Sequence, residues 1–213
     1  MSAVLPDPGA PNADFERPAD RGRLERTVAA LQARGFRAEI AADGADARRR
    51  VLDALPEGAE VHMALSETLR ELGLTAAIDE SGRYDSVRVR LNALDRETQA
   101  RDRRKLGAAP DHIVGSAHAI TDDGTVVVGS GSGSQLGAYA YAAGSVILVV
   151  GHHKLVRDEE EAMRRIRQYS LPREFRRMQD VGYAGSLLAK ILVIHQEPRG
   201  RIRVILVPET LGF

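Results

Sequence analysis

Apolar residues along the chain fall into short continuous runs separated by segments with helical spacing. Three of the runs are AEVHMAL at 59–65, SVILVVG at 145–151 and KILVIHQ at 190–196. They are too continuous for a strand with one exposed face, so they predict the central strands of a sheet covered on both sides. Strands that alternate with helices indicate an α/β fold with a mostly parallel sheet.

The remaining elements follow from residue spacing and from turn residues. Helices are expected over 21–34, 46–55, 66–73, 95–106, 136–144 and 157–170, and further strands over 36–40, 74–78 and 201–209. The segment 111–129 is expected to form two extended pieces joined at an Asp-Gly turn. This hairpin makes the predicted sheet a mixed one.

A single domain accounts for most of the chain. The 213 residues contain no internal repeat and no segment typical of an interdomain linker. Residues 1–20 hold four of the nine prolines and lack hydrophobic periodicity, which predicts a flexible N-terminal arm. The predicted organisation is therefore an arm at 1–20 and one domain at 21–213.

Charge and cysteine content narrow the possible functions. Thirty basic residues balance 30 acidic ones, which argues against a nucleic-acid partner. The chain has no cysteine, so disulfides, Cys-ligated iron–sulfur clusters and a Cys nucleophile are excluded. Neither a signal peptide nor a membrane-spanning segment is predicted, and the expected location is the cytoplasm.

The first candidate ligand site is a loop rich in serine and glycine. It consists of Ser130, Gly131, Ser132, Gly133, Ser134 and Gln135. Glycines let backbone N–H groups turn inward, hydroxyls add donors, and the next helix presents its positive end, which together suit a phosphate or a carboxylate. The loop matches neither a P-loop, a dinucleotide fingerprint nor a nucleophile elbow. A flexible surface turn is the alternative.

Two further candidate segments follow predicted strands. Ser66, Glu67 and Thr68 come after AEVHMAL; Ser66 could simply cap the next helix, and Glu67 could act as a general base. Lys154 comes after SVILVVG and could supply a point charge to an anion, with a solvated loop lysine as the alternative. Open α/β sheets bind ligands at the carboxyl ends of their strands, where these segments are expected to lie.

Histidine spacing argues against a metal site. The adjacent His152 and His153 point to different sides on most backbones, and no second His or carboxylate follows at a spacing typical of metal ligands. No metal and no cofactor are therefore predicted. His118 is a candidate for a polar pocket residue.

The order of these blocks resembles that of the lactate-utilisation (LUD) family. The similarity is carried by SETLRELG at 66–73, by the run from GSAHAIT at 115–121 to EAMRRI at 161–166 with SLPRE after it, and by RIRVILVPETLGF at 201–213. It extends over roughly residues 20 to 213. The resemblance implies a Rossmann-like three-layer α/β sandwich similar to ribose-5-phosphate isomerase and the CoA transferases. It also places Ser116 on a family-like block, together with the candidate segments above.

The function implied by the resemblance is that of a subunit or accessory protein in lactate (2-hydroxy acid) utilisation that binds a small anionic or phosphorylated ligand. Because the cysteine-rich module of larger relatives is absent, an iron–sulfur partner subunit of a lactate-oxidising complex is expected, and self-association is a further expectation. One alternative is a stand-alone enzyme on a sugar phosphate or acyl-CoA, with Glu67 and Lys154 as its catalytic residues. Another is a ligand sensor without catalysis. The sequence leaves open the substrate, catalysis by the isolated chain and the oligomeric state.

Overall fold

The computed structural model describes residues 5–213. Within them, the strands are β1 (Arg37–Ile40), β2 (Glu60–Met63), β3 (Asp85–Ser86), β4 (His112–Gly115), β5 (Ala119–Thr121), β6 (Val126–Ser130), β7 (Ser145–Gly151), β8 (Leu155–Val156), β9 (Lys190–Ile194) and β10 (Ile202–Val207). The α-helices are α1 (Arg21–Ala33), α2 (Gly44–Asp53), α3 (Glu67–Glu71), α4 (Val87–Ala93), α5 (Ala100–Ala108), α6 (Glu159–Arg165) and α7 (Leu171–Asp180). Wider π-helical turns span Ala76–Glu80, Ala138–Ala142 and Ile166–Ser170, and 3-10 turns span Ala13–Glu16 and His152–Lys154.

Six parallel strands form the central sheet, in the order β1-β10-β7-β4-β2-β3. Alternate side chains of β7 enter two separate cores. Val146 and Leu148 belong to one core, and Ile147 and Val149 belong to the other. Both faces of the strand are thus covered, which explains why its sequence is a continuous apolar run.

Different layers cover the two faces of the central sheet. On one face, α2, α3 and the turn Ala76–Glu80 contribute Val51, Leu69 and Ile78 to the core. On the other face, α1 packs beside a second sheet of four strands, in the order β8-β5-β6-β9. The predicted α/β fold with a mostly parallel sheet, a Rossmann-like sandwich, is confirmed.

The second sheet corrects one prediction. The hairpin predicted at 111–129 does not join the central sheet as one unit: its first piece begins as β4 of that sheet, whereas among the described residues β5 and β6 pair with each other and with β8 and β9 only. Val126 and Val128 of β6 face the central sheet, while Val127 packs against Ala162 and Ile166 on the opposite side. The hairpin is therefore apolar on both faces because it lies between the central sheet and α6.

The prediction that KILVIHQ forms a central strand is also wrong, because β9 is an edge strand of the second sheet. Ile191 and Val193 pack towards α6, whereas Leu192 and Ile194 pack towards the central core. An apolar run records that both faces of a strand are covered, but not which sheet the strand joins.

The strand predicted at 74–78 is wrong as well. The chain is helical from Leu74 through Glu80, and the buried side chains are Leu74 and Ile78, four residues apart. A strand would also have buried Ala76, which is exposed. Helix α7 was not expected; its Pro172 lies in the first turn, where the missing N–H costs nothing.

Residues of the N-terminal arm contact the segment that contains α6 and α7. Phe15 is buried, and its ring centroid lies 6.4 Å from that of Tyr169. The backbone N–H of Asn12 donates to the carbonyl oxygen of Gln168 at 2.8 Å. Residues 1–4 lie outside the described range. Contacts do not measure motion, so the flexibility of the arm and its boundary at residue 20 stay predictions.

Candidate functional site

Polar side chains gather where neighbouring strands of the central sheet end. Thr68 follows β2, Ser116 follows β4, and Lys154 follows β7. The carboxyl ends of parallel strands lie along one edge of a sheet, and that edge is where open α/β sheets bind ligands. Topology alone therefore brings these three residues together, although 86 positions separate the first from the last.

Lys154 lies at the centre of this group. Its side chain is 1% exposed, and its Nζ donates to Thr68 Oγ1 at 2.8 Å and to Ser116 Oγ at 3.3 Å. The alternative of a solvated loop lysine is wrong. The Thr68 hydroxyl in turn donates to the carbonyl oxygen of Leu211, after β10, at 3.0 Å. The C-terminal segment thus closes the group on one side.

Arg165 reaches the same region from the end of α6 and is fully buried. Its Nη1 donates to the carbonyl oxygen of His118 at 2.5 Å and to Ser170 Oγ at 3.1 Å. Within residues 5–213, its Nε and Nη2 have no hydrogen-bond partner. These two nitrogens form the side of a guanidinium group that binds a carboxylate through two parallel hydrogen bonds. The ring of Tyr169 lies 4.9 Å from the guanidinium carbon.

We call Lys154, Arg165, Thr68, Ser116 and Ser170 the buried cation cluster. In the part of the chain that the structure describes, no carboxylate forms an ion pair with either of its two basic side chains. Glu71 is the carboxylate whose charge acts on Lys154, but its Oε2 accepts a hydrogen bond from the backbone of Gly212 at 2.8 Å. A buried cation without a counter-ion is costly, and a bound anion would remove that cost.

Burial and mutual repulsion shift the protonation of the whole region. Burial, followed by the charge of Arg165, lowers the pKa of Lys154 well below its usual value. Burial also lowers the pKa of Arg165 to about 9. Two nearby imidazoles are shifted as well. Burial, with a smaller contribution from the charges of Lys154 and Arg165, lowers the pKa of His118 to about 3 and that of His153 to about 2. Burial is the largest cause of each shift, and the positive charges of Lys154 and Arg165 add to the shifts of the two imidazoles.

A cavity of about 410 Å³ borders this region under the N-terminal arm, lined by Phe15, Arg164, Gln168 and His153 among others. His153 is 2% exposed, and neither of its ring nitrogens has a hydrogen-bond partner among the described residues. The arginines of the cavity wall are paired with carboxylates; Arg164, for example, donates to Glu161 at 3.0 Å. Among the described residues, a buried charged side chain without an ion-pair partner is therefore found in the buried cation cluster, whereas the arginines of the cavity are paired.

Other predicted site residues lie apart from Lys154. Ser66 occupies the N-cap position of α3, but its side chain makes no capping hydrogen bond. Glu67 is held by arginines: its Oε2 accepts from Arg70 Nε at 2.7 Å, and its Oε1 lies 3.7 Å from Arg177 Nε. The roles predicted for Ser66 as a ligand contact and for Glu67 as a general base stay predictions.

The serine- and glycine-rich loop, Ser130–Gln135, follows β6 of the second sheet. Its own side chains accept from its backbone: Ser130 Oγ from the N–H of Gly133 at 2.9 Å, and Ser132 Oγ from that of Ser134 at 3.2 Å. The side chain of Lys190 fills the space beside Gly133. Among the described residues no hydrogen bond joins the loop to Lys154. The predicted anion site at this loop stays a prediction.

His118 connects the two regions, and its role as a polar pocket residue stays a prediction. Its Nδ1 accepts from the backbone N–H of Gly129 at 3.2 Å, just before the loop, and its carbonyl oxygen accepts from Arg165. Sequence reasoning missed Arg165, Ser170 and the inward-facing His153. One signal was available, since Ala162 and Ile166 flank Arg165 on the buried face of the helix. With 27 arginines in the chain, that position did not stand out.

Residues 5–213 contain neither a metal-binding group of side chains nor a membrane-spanning helix. In that range no group of three or more His, Asp or Glu side chains is placed to hold a metal ion. Over the same residues, each helix is too short or too polar to cross a membrane.

Comparison with known proteins gives the family. A family model described as the LUD domain matches residues 24–207. One similar solved structure is the crystal structure of a DUF162 family protein from Deinococcus radiodurans, 16% identical, which covers 89% of this chain and 99% of its own, with a TM-score of 0.52. Likeness at this identity concerns the fold alone. No curated protein matches the chain. Because the family model spans most of the sequence, the chain belongs to the LUD domain family.

Proposed function

We propose that this chain acts in lactate utilisation by binding a small carboxylate, a 2-hydroxy acid or a 2-oxo acid, in the buried cation cluster. One observation carries the proposal: Arg165 is fully buried, yet its Nε and Nη2 have no partner among residues 5–213. A guanidinium group desolvated in this way is destabilising unless something binds it. A carboxylate matches the spacing of the two free nitrogens and supplies the missing negative charge.

The neighbouring residues suit the second functional group of such an acid. The Lys154 amine lies 2.8 Å from the Thr68 hydroxyl and 3.3 Å from the Ser116 hydroxyl. A hydroxyl or a carbonyl on the carbon next to a carboxylate can accept from, or donate to, groups of this kind. A simple carboxylate such as acetate would lack that contact, so the cluster favours a 2-substituted acid.

The proposal assigns this chain a binding role within a larger oxidising system. Oxidation of a 2-hydroxy acid to a 2-oxo acid releases two electrons, and a chain without cysteine cannot hold a Cys-ligated iron–sulfur cluster to accept them. An iron–sulfur partner subunit would supply the acceptor.

Calorimetry tests the proposal, with lactate, pyruvate, acetate and inorganic phosphate titrated separately into the full chain. Lactate or pyruvate is expected to bind more tightly than acetate. Arg165→Gln removes two charge-assisted hydrogen bonds of about 1.5–3 kcal/mol each, so the affinity is expected to fall by about 100-fold or more. The matched control is Arg164→Gln, because Arg164 is half-exposed and already paired with Glu161.

Thermal melting of both variants verifies that they are folded. Folded Arg165→Gln protein that binds lactate and pyruvate as the wild type does would overturn the site. Tight binding of phosphate with no binding of lactate or pyruvate would favour the alternative of a phosphorylated ligand.

A further inference from the structure

We propose that Lys154 forms a covalent imine with the carbonyl carbon of a 2-oxo acid held in the buried cation cluster, an inference that rests on the proposed carboxylate site. The observation behind it is the arrangement of hydrogen bonds around the Lys154 amine. That arrangement leaves the nitrogen of a neutral amine with a free lone pair.

The donors and acceptors around the amine can be assigned one by one. The Thr68 hydroxyl donates its proton to the carbonyl oxygen of Leu211 at 3.0 Å, and the Ser116 hydroxyl donates to that of Ala117 at 3.3 Å. Each hydroxyl has one proton, so both oxygens can only accept from Lys154. Lys154 therefore donates two hydrogen bonds, at 2.8 and 3.3 Å.

Two acceptors suit a neutral amine better than an ammonium group. An ammonium group carries three protons and seeks three acceptors, and among the described residues no third side-chain acceptor bonds to Lys154 Nζ. A neutral amine has two protons, both used here, and one lone pair. The charge of Arg165, which has no ion-pair partner among the described residues, is also unfavourable to an ammonium group.

The electrostatics agree with this assignment. Burial and the charge of Arg165 both lower the pKa of Lys154, and only Glu71 acts in the opposite direction. Desolvation beside another cation is one of the known ways in which proteins turn a lysine into a nucleophile.

Arg165 would orient the reaction. A 2-oxo acid bound through its carboxylate to Nε and Nη2 of Arg165 carries its carbonyl on the adjacent carbon, next to the cluster. The lone pair of Lys154 Nζ forms a C–N bond with that carbon while the π electrons of the C=O bond move to the oxygen. The oxygen takes up a proton that the nitrogen loses, giving a carbinolamine. Expulsion of this hydroxyl as water, with loss of the second N–H proton, leaves the C=N bond, so no oxidant or reductant is needed.

Trapping by reduction tests the imine. The full chain is incubated with pyruvate and sodium cyanoborohydride, and the product is analysed by intact mass and peptide mapping. The chain has only three lysines, Lys105, Lys154 and Lys190, and the other two are exposed. We expect one reduced adduct at Lys154. Lactate has no keto group and should give no adduct, although it is expected to bind.

Two variants make the result specific. Lys154→Arg keeps a long basic side chain but lacks a nucleophilic amine, and the adduct yield should fall at least about tenfold. Lys190→Arg is the matched control and should react as the wild type does.

Calorimetry with pyruvate in parallel separates the two proposals. Pyruvate that binds through Arg165 without forming an adduct would overturn the imine and leave the carboxylate site intact. An adduct spread equally over the three lysines would also overturn it. If neither pyruvate nor lactate binds, the carboxylate site fails, and the imine fails with it.

Discussion

The buried cation cluster and the serine- and glycine-rich loop are both rich in hydrogen-bond donors, but they differ in how those donors are used. In the loop, the hydroxyls of Ser130 and Ser132 already accept from backbone N–H groups. In the cluster, Arg165 keeps two N–H groups without partners, and Lys154 has no carboxylate beside it among the described residues. A serine carries donor and acceptor together, whereas a guanidinium or ammonium group has only donors.

The difference shows that serines in a loop can satisfy their own hydrogen bonds, while a buried guanidinium group without partners needs an acceptor from outside the chain. Donor-rich sequence is therefore a weaker indicator of an anion site than a buried charge without a partner.

Among the variants that compare the cluster with the loop, Lys154→Met should weaken binding most. Loss of the hydrogen bond between the Lys154 amine and the ligand hydroxyl should weaken lactate binding by up to about 10-fold. The ligand-free protein should change in unfolding free energy by only about 1 kcal/mol in either direction, because Met has a similar volume and carries no buried charge to desolvate. Calorimetry and urea unfolding measure the two quantities. A large loss of stability with unchanged affinity would make Lys154 a structural residue.

Phe15→Ala tests whether packing of the N-terminal arm against the domain contributes to stability. Phe15 is buried against Tyr169, and loss of about 2 kcal/mol of apolar burial should lower the Tm by roughly 4–8 °C. The sequence by itself predicts almost no change on removing the arm. Pro18→Ala, at an exposed position, is the control. An unchanged Tm for Phe15→Ala would support the flexible arm.

The pH dependence of stability tests whether His153 is shielded from water in the folded protein. Burial lowers the pKa of His153 to about 2, whereas the pKa of a histidine in the unfolded chain is about 6.5. Between these values only the unfolded chain binds the proton, so the free energy of unfolding should fall as the pH is lowered from about 6.5. His153→Leu should flatten this decline, as followed by urea unfolding between about pH 7 and pH 4. His195→Leu, at an exposed position, should leave the decline as it is in the wild type.

The smallest effect should come from Gly131→Val in the loop. A side chain there would contact the carbonyl oxygen of Leu187, with a Cβ distance of 3.1 Å, but would not reach a hydrogen bond of the buried cation cluster. Lactate affinity should change by less than about threefold. A loss of affinity comparable to that of Lys154→Met, in protein that melts normally, would return the loop to the ligand site.

Much of the fold follows from the sequence because apolar spacing is a local property. The run SVILVVG becomes β7, and the spacing Leu24, Val28, Leu31 becomes α1. The placement of Thr68 and Lys154 at strand ends was also accessible, since parallel strands bring their carboxyl ends to one edge. Ser116 was predicted inside an extended segment, and only the structure places it at the end of β4. The sheet that each strand joins was not, because β9 and β7 have similar apolar runs but different neighbours.

The sequence by itself determined an α/β domain and the strand-end positions of Thr68 and Lys154. Only the tertiary structure decided that Arg165, on a helix beyond the second sheet, is buried close enough for its charge to act on Lys154 and that neither has a carboxylate partner among the described residues. The physical reason is that desolvation and ion pairing depend on every element packed around a charge. One arginine among 27 carries no local mark of where it will be buried.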